Sequence, residues 1–315
     1  MQTAPKMTTA LYSHPDCKLH EMGLQHPESP ARIEAIEAQL QEQGIAQHLD
    51  FRLAPEASID DIRRVHLLDT IEMVRDNTPD KLGDYFGIHD ISINQYTWQA
   101  ALRAAGAAGA ATDAVIASEI NNAFCLVRPI GHHATPSTPM GFCVFNNVAI
   151  AAMRALKVHG LERVAIIDID VHHGNGTDEI FAHEPRVMMA SFYQTYLYPF
   201  SGNERQRAHM VNVPVPARTK GDGIRKLVTE QWLPALHAHK PEMIFISAGF
   251  DAHRDDPLGE MELVEDDYAW ITQQVMNVAN EHAQGRIVSF LEGGYNLQAL
   301  AKSAAAHIKT LAQLD

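Results

Sequence analysis

Four short apolar runs limit what this chain can fold into more than any other feature. Each is rich in β-formers and ends in residues able to do chemistry. AFCLVRPI leads into Gly131, His132 and His133, and RVAIIDID into Val171, His172, His173 and Gly174. MIFISAGF leads into Asp251, Ala252 and His253, and RIVSFLE into Gly293, Gly294 and Tyr295. Between them lie stretches of helical character at 145–158, 222–237 and 266–282. Continuous apolar runs of strand length alternating with helices are the signature of a parallel sheet buried on both faces. In such sheets ligands bind outside the carboxyl ends of the strands, so four loaded strand ends predict one convergent site.

Bulk properties narrow the class further. The chain has 315 residues, 46% hydrophobic and 20% charged, which suits one α/β domain over 1–315 with a sizeable core. No apolar run approaches the ~18 residues that span a bilayer. The start, MQTAPKMTTALYSHPD, has neither the basic head nor the long greasy stretch of a signal peptide, so a cytoplasmic protein with no membrane partner is expected. A net charge of −14 argues against nucleic acid as a partner, because nonspecific binding needs a basic footprint. The same acidity suits cationic substrates without demanding them. Cys17, Cys125 and Cys143 are odd in number and lack paired metal spacing, so they read as free thiols in a reducing compartment. Whether the chain forms a homo-oligomer is left open.

Repeats, low-complexity tails and linkers are absent from the sequence. Residues 29–44 read as a helix with Ser29 as N-cap, Pro30 at its first position, apolar Ile33, Ile36 and Leu40, and Gly44 as its stop. Residues 97–119 read as a small-residue helix whose GAAG serves close packing; it follows no strand and lacks the Lys-Ser/Thr of a phosphate loop.

The run DIDVHHGNG carries the most chemistry. Side chains two apart on an extended segment point the same way, so Asp168, Asp170 and His172 are expected on one face as the strand leaves the sheet. Carboxylates and an imidazole suit Zn²⁺. Asp251, arriving from a neighbouring strand end, would complete three protein ligands with a position left open, which marks a catalytic rather than a structural zinc. Buried carboxylates without a partner are costly, so these residues are not expected to be mere loop caps.

Together these segments resemble the zinc-dependent histone deacetylase family, which includes acetylpolyamine amidohydrolases and bacterial deacetylase-like amidohydrolases. The matching motifs, in family order, are HPESPARI (26–33), RPIGHHA (128–134), GFCVFNN (141–147), DIDVHHGNGT (168–177), SAGFDAHRDDPLG (247–259) and LEGGYN (291–296). Asn175, where the class I branch has aspartate, and the DPLG tetrapeptide resemble the class II branch. The resemblance implies the arginase/deacetylase α/β fold with an eight-stranded parallel sheet.

Carried over by motif, the resemblance makes Asp170, His172 and Asp251 the zinc ligands. His132 and His133 become the tandem histidines at the attacking water, with Asp168 pairing to His132 and Asn175 orienting His133. A neutral partner should leave His133 easier to deprotonate, which suits a general base. Tyr295 is implied as the donor to the developing oxyanion, a role typically worth ~3 kcal/mol. Phe142 and Tyr198 match walls of an acyl-lysine tunnel, Gly141 a backbone carbonyl near the substrate amide, Asp90 a rim residue gripping the substrate backbone, and Arg32 a product channel. Potassium is implied at Asp168, Asp170, His172, Ser191 and Phe192, largely through backbone carbonyls.

Leu258 bears on the substrate. A related polyamine-selective enzyme has glutamate at that point of its DPxG segment, where a carboxylate can meet a second cationic nitrogen. Leucine tilts the expectation toward acetyl-lysine or a similar monoacyl amine over acetylpolyamine. Two other classes remain: an arginase-like two-metal ureohydrolase, which would hold two manganese ions and release urea, and a noncatalytic acyl-lysine reader.

Overall fold

The structure, a computed structural model, describes residues 8–202 and 207–314; the first seven residues of the start tested for a signal peptide lie outside the described residues. Strand β1 (Thr9–Ser13) is followed by helix α1 (Ala31–Glu42) and edge strand β2 (Leu49–Leu53). Helix α1 buries Ile33, Ile36 and Leu40, as its periodicity predicts. It starts one residue later than expected: Pro30 is the N-cap, and Ser29 contributes its backbone carbonyl to the Arg32 N–H instead of its hydroxyl. Helices α2 (Ile59–Ile62) and α3 (Leu68–Asn77) lead to an antiparallel hairpin of β3 (Tyr85–Ile88) and β4 (Ile91–Asn94). Its tip is the dipeptide His89-Asp90, with His89 in the left-handed region at φ 52°.

The small-residue helix is α4 (Thr97–Ile116), which buries Ala104, Ala105, Ala107, Ala108 and Ala111 and so lies close against strand β5 (Asn122–Cys125) and helix α5 (Asn147–Lys157). Helix α5 is capped by Asn146, whose side-chain oxygen accepts the Ala149 N–H at 3.0 Å. Then come β6 (Val164–Asp168), α6 (Asn175–Phe181), β7 (Val187–Gln194) and β8 (Met210–Val215). The helix expected at 222–237 is split into α7 (Gly221–Leu227) and α8 (Leu233–His239) by a π turn over Val228–Trp232. Pro234 accounts for the break, because it has no N–H to continue the ladder. Strand β9 (Ile244–Ala248), helix α9 (Glu265–His282), strand β10 (Ile287–Leu291) and helix α10 (Leu297–Leu311) complete the chain.

Eight strands form one parallel sheet in the order β2-β1-β5-β10-β9-β6-β7-β8. The four chemically loaded runs are β5, β10, β9 and β6, which are neighbours at its centre. Every residue of those four strands is buried. Helices α4 and α5 pack together over this region, while α1, α9 and α10 form a second packed group. The chain leaves β5 for β6 and later fills the gap with β9 and β10, so the carboxyl ends of the central strands open a crevice where strand order reverses. Cys17, Cys125 and Cys143 are free and buried. Among the described residues, no helix is long and apolar enough to cross a membrane.

Candidate functional site

The crevice is built first from the loop after β6. The extended alternation expected for Asp168, Asp170 and His172 ends with the strand at Asp168. Beyond it, side chains fold the backbone: the Asp170 N–H donates to Asp168 Oδ1 at 3.1 Å and the His172 N–H to Asp170 Oδ1 at 2.9 Å. These Asx-type contacts replace strand pairing as the device that sets the three side chains.

Asp170, His172 and Asp251 converge. His172 Nδ1 lies 3.0 Å from Asp170 Oδ1 and 3.1 Å from Asp251 Oδ2, and all three residues are buried. The two carboxylates are held from behind, Asp170 by the Gly293 N–H at 2.8 Å and Asp251 by the Val171 N–H at 2.8 Å. A Cβ at position 293 would sit 2.0 Å from Asp251 Oδ2, so only glycine lets that amide approach. The electrostatics fit a divalent cation. Burial opposes charge on His172, yet its bonds to Asp170 and Asp251 push it up to about 10. Burial and the charge of Asp170 push Asp251 up to about 7. Two buried carboxylates with one imidazole between them carry surplus negative charge, and one N and two O donors are a donor set suited to zinc.

Beside this cluster the histidine rings of 132 and 133 stand 4.0 Å apart between centroids. His132 Nδ1 is 3.0 Å from Asp168 Oδ2, and His133 Nδ1 is 2.8 Å from Asn175 Oδ1. Burial disfavours charge on both. At His132 the carboxylates of Asp170 and Asp168 outweigh it and hold the ring well above the usual histidine range. At His133 burial acts together with the neighbouring charge on His132 and holds the ring well below it. The pair is therefore split into one charged and one neutral ring.

Tyr295 follows β10 across the crevice. Its backbone N–H donates to Asp256 Oδ2 at 2.6 Å, and the Arg32 guanidinium lies 5.0 Å from its ring centroid. Burial holds its hydroxyl well above the usual tyrosine value, so it is a neutral donor. Phe142 meets the Tyr295 ring edge-on at 5.9 Å, and Tyr198 meets His133 edge-on at 5.1 Å. Gly141 sits at φ 59°, where a Cβ would be 2.4 Å from His133 Cδ2. Asp90, at the hairpin tip, accepts the Tyr198 hydroxyl at 2.7 Å and the Gly141 N–H at 3.1 Å. Leu258 is half-buried, and its N–H donates to the same Asp256 carboxylate that holds Tyr295.

Other expected residues stand one layer away. Ser191 pairs with Asp168 in the sheet and donates its hydroxyl to Asn212 Oδ1 at 2.9 Å. The Phe192 ring stacks on Trp232 at 5.8 Å, so only its backbone carbonyl is available to a cation. His173 bonds Ser201 Oγ at 2.8 Å, away from the cluster, as a structural residue would.

Three groups escaped the sequence reading although their motifs were in view. Glu28 is fully buried between Arg128 and Arg32, and burial notwithstanding these guanidiniums hold its carboxyl down at about 2. Arg32, expected at a product channel, is fully buried and donates to the Gly294 carbonyl at 2.7 Å and to that of Glu292. Glu292 accepts the Gly131 and His132 N–H groups at 2.7 and 3.1 Å, and burial pushes it up to about 7. Asp256 is the third. Acidic and basic residues inside HPESPARI, RPIGHH, LEGGYN and DPLG were the available signal, but nothing in one dimension pairs them.

Comparisons with known proteins match the chain over nearly its whole length. A family model described as the histone deacetylase domain matches residues 26–311. A histone deacetylase-like amidohydrolase of Pseudomonas aeruginosa is 38% identical over 281 residues, covering 86% of this chain and 73% of its own. A probable deacetylase of Archaeoglobus fulgidus is 36% identical over 300 residues, covering 93% and 82%. Histone deacetylase 14, chloroplastic, of Arabidopsis thaliana is 37% identical over 308 residues, covering 91% and 73%. The crystal structure of the HDA15 HD domain superposes with a TM-score of 0.91 at 33% identity, covering 98% of this chain and 89% of that one.

Proposed function

The chain belongs to the histone deacetylase family of amidohydrolases, and from that premise we propose that it removes acetyl groups from N-acylated amines with zinc held by Asp170, His172 and Asp251. The observation that carries this reading is the buried Asp-His-Asp cluster standing beside one charged and one neutral histidine. Zinc bound there would polarise the amide carbonyl and lower the pKa of a water toward ~7.

The remaining chemistry belongs to the side chains. His133 donates its Nδ1–H to Asn175 Oδ1, which leaves Nε2 with a lone pair to take a proton from the attacking water. The same nitrogen returns a proton to the departing amine. His132, kept charged by Asp168 and Asp170, offsets negative charge as it develops. Tyr295 donates its hydroxyl hydrogen to the oxyanion. Phe142 and Tyr198 wall the entry, Asp90 and Gly141 meet the substrate's backbone and amide, and Leu258 leaves no carboxylate for a second cationic nitrogen. Acetyl-lysine or a similar monoacyl amine is therefore the preferred substrate. Potassium is proposed beneath the centre, on Asp168, Asp170, His172, Ser191 and Phe192. The three buried free thiols support a reducing compartment such as the cytoplasm.

Acetate release from an acetyl-lysine peptide, an acetylated polyamine and longer acyl-lysines, measured side by side, tests the assignment. The acetyl-lysine peptide should turn over fastest, chelation should abolish turnover and added zinc should restore it. Tyr295→Phe should lower kcat about 10²- to 10³-fold, and His133→Ala should remove turnover. Unchanged rates in both variants would sink the mechanism; faster polyamine turnover would overturn the substrate, and urea release the reaction class.

A further inference from the structure

A second group of metal-ligand side chains stands at the other end of the sheet. His237 lies in the last turn of α8 and Glu281 and His282 in the last turn of α9, the helices that feed the amino ends of β9 and β10. His237 Nδ1 and His282 Nε2 are 3.0 Å apart. Each faces one oxygen of Glu281: Oε2 is 3.5 Å from His237 Nδ1, and Oε1 is 3.4 Å from His282 Nε2. Among the described residues, these two imidazoles are the only basic side chains within ion-pair reach of that carboxylate. His282 is the most buried of the three, with 13% of its side chain exposed against 42% for His237.

We propose that His237, His282 and Glu281 form a second site for a divalent transition metal, with zinc as its natural occupant and water completing the shell. Two imidazole nitrogens and a carboxylate oxygen are ligands for borderline metals, and hard ions such as Mg²⁺ and Ca²⁺ prefer all-oxygen shells. A tetrahedral zinc with Zn–N near 2.05 Å holds its nitrogens about 3.3 Å apart, so the two rings need to open by only a few tenths of an ångström. Two helix C-termini converge on the spot, and their partial negative charge favours a cation there. The bound ion braces α8 against α9. It also makes a count of two metals per chain compatible with a one-metal active site, so stoichiometry alone does not identify a two-metal hydrolase.

Equilibrium dialysis of the metal-stripped full chain against Zn²⁺ tests this, with turnover of an acetyl-peptide recorded at one equivalent of zinc. Wild type should bind one zinc more than His237→Ala and His282→Ala, and Glu281→Gln should weaken that extra site about tenfold or more. Mg²⁺ should not compete. Turnover of all three variants should match wild type, and His237→Gln, which keeps a hydrogen-bonding amide, repeats the measurement should the alanine variant fold poorly. The difference of one zinc holds whatever the wild-type total, so failure of the catalytic assignment would be seen separately. Equal zinc counts in wild type and the histidine variants would overturn the site.

Discussion

His132 and His133 are adjacent and chemically identical, yet their partners drive them in opposite directions. One faces the Asp168 carboxylate at 3.0 Å and the other the Asn175 amide at 2.8 Å. A general base must be deprotonated, and His133 is held well below the usual histidine value by burial and by its charged neighbour. Asn175→Asp places a negative charge against Nδ1 and raises that pKa. The acid limb of kcat/KM should therefore move to higher pH, which a pH–rate profile reads directly; an unmoved limb would remove His133 from the base role. Gly141 is equally constrained. Gly141→Ala drives a Cβ into the His133 ring at a φ that disfavours side chains, and ring displacement of about 1 Å can cost on the order of 100-fold in rate. The expected result is a fall in kcat, measured well below a melting temperature that the strained backbone also lowers.

At the level of elements, the site depends on how α1 is tied to the strand ends. Glu28, just before α1, bridges Arg32 on the helix and Arg128 beyond β5, and Arg32 reaches the backbone carbonyls on either side of Gly293 after β10. All three charged residues are fully buried. Removing one partner of such a group leaves an uncompensated buried charge, at a cost of roughly 3–5 kcal/mol. Glu28→Gln should accordingly lower the urea midpoint sharply with an unchanged m-value, although Glu28 bonds none of Asp170, His172 and Asp251. A midpoint within error of wild type would show the bridge to be dispensable.

Across the whole molecule, buried titratable groups act on stability in opposite senses. Burial holds His66 down to about 4 and His307 down to about 3, and burial with the nearby Arg128 holds His20 at about 3. Below pH 6.5 the unfolded chain takes up protons these rings refuse. Their contribution is thus complete above 6.5 and is lost as pH falls toward 4 and 3, by up to ~1.4 kcal/mol per unit for each ring. Glu292, raised to about 7, works the other way: its share is present below the ordinary carboxylate value and lost as pH rises through 7. His307→Gln isolates one term. His307 bonds Thr272 and Ser289, so the substitution destabilises at pH 7.5, but its cost should shrink as pH falls to 5.5. Denaturation midpoints at the two pH values measure this, and a constant cost would refute it.

The sequence by itself determined the alternation of strands and helices, the eight-stranded parallel class implied by the family resemblance, and the residue types at each strand end. Periodicity and burial are local properties, and a loaded strand end is visible because the apolar run stops there. Only the tertiary structure decided that the four loaded runs are neighbours, because strand order is set by crossovers whose partners lie far apart in the chain. It also replaced the extended DIDVH face with side-chain-to-backbone turns, tied the buried Arg32 to the carbonyls of Glu292 and Gly294, and joined Glu28 to Arg128 across 100 positions. Charge state followed the same rule. The family resemblance already paired His132 with Asp168 and His133 with Asn175, but the burial of both rings and the Asp170 charge beside His132, which complete the split, come from distant segments that only packing brings together.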